Sequence, residues 1–170
     1  MLAVLDTVFT QYRQPERLFT ALLPALCEVL LTDRCFLHVR NPNTRMHRVF
    51  CWRRSPEMPD VSTLGWEKEQ EWEKEDPMFA AALNTAQSIY VEDIETASSN
   101  VVNREFEQTY LKHRACVHAH LCQNHQLWGI LQPCLFDSPR VWTDHDRKII
   151  ADVIEQLTPI VVEYVKSTAL

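Results

Sequence analysis

The sequence predicts an α+β fold: an antiparallel sheet with the terminal helices on one face and crossover segments on the other, enclosing a ligand-type cavity. Three observations carry this. Residues 116–122 alternate strictly, with Cys116, His118, His120 and Cys122 on one face and Val117, Ala119 and Leu121 on the other; period-two alternation marks a strand between two different environments. The chain also opens and closes with amphipathic helical patterns. Between them, strand and helix signals run in the order two strands, helices, strand, helix, two strands, which suits an antiparallel sheet covered on both faces. A cavity between sheet and crossovers is a usual place for a small ligand.

Leu2, Leu5, Val8, Phe9 and Tyr12 recur at helical spacing and place an amphipathic helix over 2–13. Pro15 suits the first turn of a second helix, over 16–31, in which Pro24 is expected to produce a kink. RCFLHVR (34–40) and 46–53 read as two strands around the turn residues NPNT, and 55–64 as a Pro-containing loop. The Glu- and Lys-dense stretch 66–74 reads as a solvated helix, 78–83 as a short apolar helix, 88–94 as a strand and 100–113 as a helix. Asn124 and His125 supply the turn of the central hairpin, since Asn tolerates the left-handed backbone a tight hairpin needs. The return strand is 127–135. Thr143 with Asp146 three residues on forms a capping box for the last helix, in which Pro159 is expected to add a kink.

Composition narrows the function classes. With 46% apolar and 24% charged residues over 170 positions, one ordinary globular domain spanning 1–170 is expected. A net charge of −6 without clustered Lys and Arg argues against nucleic-acid binding. Two glycines exclude phosphate-cradling glycine-rich loops. No apolar run is long enough for a membrane span, no signal peptide is evident, and six cysteines without a C-x-x-C pair read as reduced thiols, so a cytoplasmic protein is expected.

Cys116, His118, His120 and, from the neighbouring strand, Cys134 are the candidate metal ligands. Alternate strand residues lie about 6.5–7 Å apart, and thiolate with imidazole suits zinc, iron or haem iron. Small buried thiols and hydrogen-bonded histidines are the plainer reading of the same residues. Cys116 and His118 point the same way on one strand but lie too far apart for a nucleophile–base hydrogen bond, so no enzyme activity is expected.

TDRCFLHVR, RACVHAHL, LWGILQPCLFDSPRVW, KEDPMF and IYVEDIETA, in their order, resemble a GAF domain of the phytochrome and cyanobacteriochrome branch, over Leu18 to Val165. The resemblance implies a sensory or regulatory role and a cyanobacterial-type origin. The apolar face of the last helix is broader than one domain's core needs, so dimerisation through the terminal helices is expected, with Leu5, Val8, Ile150, Leu157, Val161 and Tyr164 as the dimer residues. The resemblance places Cys116, His118, His120, Cys134, Met78 and Asn103 at the ligand pocket. The family's bilin-attaching cysteine falls at Asn103 or Val102, and its second cysteine at Met78 of Asp76-Pro77-Met78-Phe79, so no covalent bilin is expected. The cysteines of the reductase GAF proteins lie in a region that here has none. The expectation is therefore a non-enzymatic regulator that binds a protein partner or small molecule as a homodimer. The alternative is a sensor holding haem, an iron–sulfur cluster, a metal or a non-covalent bilin. The chain stops soon after its last helix, and a complete small protein is expected.

Overall fold

The computed structural model describes residues 2–168. Helix α1 (Ala3–Gln11) leads into α2 (Pro15–Leu30), which begins at Pro15 and ends on Leu31 in the left-handed conformation. The chain then forms β1 (Arg34–Arg40), β2 (Met46–Arg53), the short edge strand β3 (Glu67–Lys68), a 3-10 turn at Trp72–Lys74 and α3 (Pro77–Leu83). Strand β4 (Ile89–Val91), a helical turn α4 (Arg104–Phe106) continuing as a π-helical turn (Glu107–Leu111), the hairpin β5 (Ala115–Gln123) and β6 (Gln126–Leu135), and α5 (Asp144–Ser167) complete it. Among the described residues six strands form one antiparallel sheet in the order β3-β2-β1-β6-β5-β4.

The expected α+β architecture is the observed one. The hairpin turn has positive φ at Asn124 and His125, and Thr143 and Asp146 make the capping box. Two segments differ. Residues 66–74 are no solvated helix, because Glu69 is drawn inside: its carboxylate meets Arg40 Nε at 2.7 Å, with both side chains buried, and the preceding pair Glu67–Lys68 adds to the sheet edge beside Met46 and His47. Residues 100–113 are no continuous helix either. Asn103 caps a late start, accepting from the Phe106 amide, and the π-turn closes with Lys112 N–H to Glu107 O.

Alternation along each strand divides the sheet's two faces. Cys35, Leu37, Val39, Val117, Ala119, Leu121 and Leu131 face α1, α2 and α5 and form the main apolar core with Phe19, Leu22, Leu26, Ile150, Val153 and Leu157. Leu5, Val8, Ile150, Leu157, Val161 and Tyr164, the residues expected to form a dimer seam, are all buried in this core of the single chain; the breadth of the terminal apolar faces is used up within the chain, α5 packing on the sheet and on α2, and α1 packing on α2.

The L-W-G sequence has a local cause. Leu121 pairs with Gly129 and Cys122 with Leu127, so Trp128 is the extra residue of a β-bulge. A side chain at Gly129 would put its Cβ 2.6 Å from His38 O, so only glycine lets β6 approach β1 this closely.

Candidate ligand site

The other face of the sheet carries the chemistry. On β1, Arg34, Phe36, His38 and Arg40 alternate with the core residues, and the two arginines at its ends tie the crossover segments down. Arg34 donates to Pro59 O (2.9 Å) and Leu111 O (3.1 Å), and Arg40 holds Glu69 and donates to Leu127 O at 3.0 Å. Between these clamps a cavity of about 300 Å³ remains, at the small end of the range for ligand pockets. Its floor is Phe36, His38, His47, Val49, His118, Ile130 and Gln132, and its walls are Val61, Thr63, Glu67, Gln70, Trp72, Glu75, Asp76, Phe79, Phe106, Tyr110 and Leu111.

The floor and one wall form an aromatic cluster. His38 meets His47 and Trp72 edge-on (ring centroids 4.9 and 5.7 Å apart) and stacks on Phe79 at 5.9 Å. His47 meets Trp72 at 5.1 Å. Burial holds His38 and His118 well below the usual imidazole range, reinforced by His47 for His38 and by His120 for His118, so both are neutral at pH 7. His38 Nε2, His47 Nδ1 and Gln132 Nε2 are buried and lack a hydrogen-bond partner, an unusual concentration in one place for a folded protein.

The hydrogen bonds fix one tautomer. His120 Nδ1 lies 2.8 Å from Ala86 O, a pure acceptor, so it carries the proton. Neutral His120 then accepts at Nε2 from His118 Nδ1, 2.8 Å away, which leaves His118 Nε2 as a lone-pair acceptor on the cavity wall. Asp76 caps α3, its Oδ1 accepting from Met78 N at 2.8 Å. Burial, together with the nearby Glu107, pushes its carboxyl up to about 7.

Of the sequence-derived site residues, the structure brings His118 to the cavity. His120 stands behind it as its hydrogen-bond partner. Cys116 and Cys134 pair across β5 and β6 and sit with Met78, Val91, Ile94 and Val102 in a small apolar cluster, fully buried. Asn103 spends its amide on Glu75 O and its carbonyl on the α4 cap. The metal set of Cys116, His118, His120 and Cys134 therefore splits into a histidine pair and a thiol pair. Among the described residues no group of three or more His, Cys, Asp or Glu could hold a metal ion. Behind the thiols, His113 Nε2 lies 2.9 Å from Glu107 Oε2, an ion pair with neither side chain exposed.

Sequence reasoning missed His38, His47, Trp72, Phe79, Asp76 and Gln132. The signal for His38 was present: the same period-two reading applied to RCFLHVR puts Phe36 and His38 on the face opposite the helix-facing Cys35, Leu37 and Val39. Trp72 was hidden in a stretch dense in Glu and Lys.

This arrangement, a sheet with helices on one face and a walled cavity on the other, is the architecture of a family of sensory and regulatory domains. The chain belongs to the GAF domain family, whose model matches residues 14–158. Solved structures similar in fold include the phycocyanobilin-bound GAF domain of a cyanobacterial phytochrome (16% identity, TM-score 0.73, covering 97% of this chain and 96% of that one). The GAF domain of a phosphoenolpyruvate-protein phosphotransferase from Acinetobacter (8% identity, TM-score 0.73, 98% and 95% covered) is similar too. So is its counterpart from Coxiella burnetii (13%, 0.72, 98% and 95%). No curated protein matches the chain. No helix among the described residues is long and apolar enough to cross a membrane.

The first of these neighbours holds a bilin. No cysteine, lysine or arginine lines the cavity, so the lining has neither a thiol to attach a tetrapyrrole nor a cationic side chain to meet its carboxylates.

Proposed function

We propose that this chain is a non-catalytic regulatory GAF domain that binds a small molecule in the cavity between its sheet and its crossover segments, without a covalent bilin. The observation that carries this reading is the concentration of buried, unpartnered polar nitrogens on His38, His47 and Gln132 around an open space. A buried polar atom without a partner costs about 1–3 kcal/mol, and a ligand that pairs with these groups recovers that cost. The thiols support a non-catalytic role: Cys116 is fully buried, and burial pushes its thiol up, away from the thiolate a nucleophile needs. Self-association through the terminal helices would have to use outward residues such as Leu2 and Val4, which are exposed, because the inward ones are spent on the core.

The test is an NMR titration with indole, a neutral ring small enough for the cavity. Shifts confined to Trp72, Phe79, Ile130 and Gln132, and lost in the cavity-filling variant Ile130→Phe, are expected. Equal shifts in both proteins, or none in either, would refute the assignment of the cavity as a binding site.

A further inference from the structure

The cavity's lining has a chemical sign. Three carboxylates, Glu67, Glu75 and Asp76, stand on its walls, and no lysine or arginine does. The nearest guanidinium groups are already committed. Arg40 holds Glu69, Arg45 holds Glu73 at 2.7 Å and the Gln70 carbonyl at 3.0 Å, and Arg34 holds two carbonyls. The lone pairs of the histidines that line the cavity add to the same sign. His118 Nε2 is an acceptor by the tautomer that Ala86 O imposes. His47 directs Nε2 at Glu67 Oε1, 3.4 Å away, which leaves its buried Nδ1 as the unpartnered acceptor of the neutral ring. Asp76 is 6% exposed and has one oxygen on the Met78 amide and no cationic side chain bonded to the other. Trp72, Phe79, Phe36 and Phe106 supply flat apolar walls, and aromatic faces attract cations.

We propose that the cavity is selective for a small organic cation: an amidinium, guanidinium or ammonium group carried on a flat apolar body. The body lies among Trp72, Phe79 and Phe36, and the N–H donors are met by Asp76 and His118. The unpartnered Gln132 amide is a donor but carries no charge, so an anionic ligand of the same shape is opposed by the carboxylates and lone pairs and is rejected. The inference rests on the reading of the cavity as a ligand site and adds the charge of the ligand to it.

The protonation of the site gives the proposal a pH signature. Asp76 faces Glu107, His113 and the backbone N–H groups of Met78 and Phe79, and shares the cavity with His38, His47 and His118. Its carboxyl titrates at about 7, so the anion that pairs with a cation is mostly absent at pH 6 and mostly present at pH 8. Acid also brings the three cavity histidines closer to carrying charge. Both effects act in one direction, and affinity for a cation rises about tenfold from pH 6 to pH 8.

Benzamidine, benzamide and benzoate share one shape and differ in charge. Their affinities, measured by NMR titration at pH 8 on the full chain, are expected to fall in that order, with benzamidine at least tenfold ahead of benzoate. In Asp76→Asn, whose side chain still caps α3, the ratio of benzamidine to benzamide affinity is expected to collapse to about one. Benzoate binding as well as benzamidine, or a ratio unchanged in Asp76→Asn, overturns the cation assignment. Shifts by indole at the same residues would then keep the cavity as a site for some other ligand. If indole shifts none of the cavity residues, the reading of the cavity as a ligand site falls and takes the cation assignment with it.

Discussion

The two faces of the sheet use the same strands and are built to different standards. The helix-covered face is apolar throughout, from Leu37 and Val117 on the strands to Leu22 and Leu157 on the helices. The cavity face buries Arg34, His38, Arg40, His47, His118 and Gln132, and several of these have polar atoms without partners. A chain that can fill one face so completely has the residue types to fill the other. That it does not is what the proposed ligand site requires, a face on which stability is given up for function.

Substitutions sharpen this contrast, beginning with those expected to cost most. Arg40→Met leaves the buried Glu69 carboxylate with only the more distant Arg45 guanidinium, 3.6 Å away, and loosens the segment that walls the cavity. A loss of about 3–5 kcal/mol in urea unfolding is expected. Leu37→Ala, on the fully packed face, is expected to cost about 2–5 kcal/mol through lost burial and an unfilled space. A cost well under 1 kcal/mol would show that this face is as loosely filled as the other.

Asp76 sets a pH dependence of known sign. Its folded carboxyl titrates near 7 rather than near 3.8, so between those values the folded state holds a proton that the unfolded state has released. Its contribution to stability therefore falls as pH rises from about 4 to about 7 and is flat above. The span is of the order of 3–4 kcal/mol. Compared at pH 4 and pH 8, Asp76→Asn should gain on the parent chain by an amount of that order at the higher pH. An equal difference at both pH values would mean that the carboxyl is not held in its neutral form.

Smaller effects probe the geometry between the faces. Gly129→Ala forces a Cβ against the His38 carbonyl, both of them parts of rigid strands, and a loss of about 1–3 kcal/mol is expected. Gln132→Leu removes an amide whose nitrogen has no partner. The expected result is unchanged stability or a gain of up to about 1 kcal/mol, the opposite of what a polar-to-apolar change on a satisfied face would give.

The parts of the fold that were legible in the sequence are those governed by local rules. The capping box at Thr143, the Asn124-His125 turn and the alternation of β5 need only a few neighbouring residues, and all three stand as read. The helix read over 66–74 failed because its pattern of charges looked solvated, while Glu69 answers to Arg40, twenty-nine residues earlier in the chain. The site was legible only in His118. Which face of β5 looks into a cavity could be read from alternation, but where along that face the space lies is decided by the crossovers. Met78 and the surrounding apolar residues fill the end near Cys116 and Cys134, and Arg34 and Arg40 hold the roof off the middle of β1. The residues expected at a dimer seam on α1 and α5 are buried within the single chain, because periodicity shows how wide an apolar face is and not how much of it its own domain covers.

The most direct test of the central claim, that the polar face of the sheet is a binding face, is the indole titration of the parent chain beside Ile130→Phe. Saturable shifts at Trp72, Phe79 and Gln132 in the parent and their loss in the filled variant are predicted. Identical spectra with and without indole in the parent chain would contradict it.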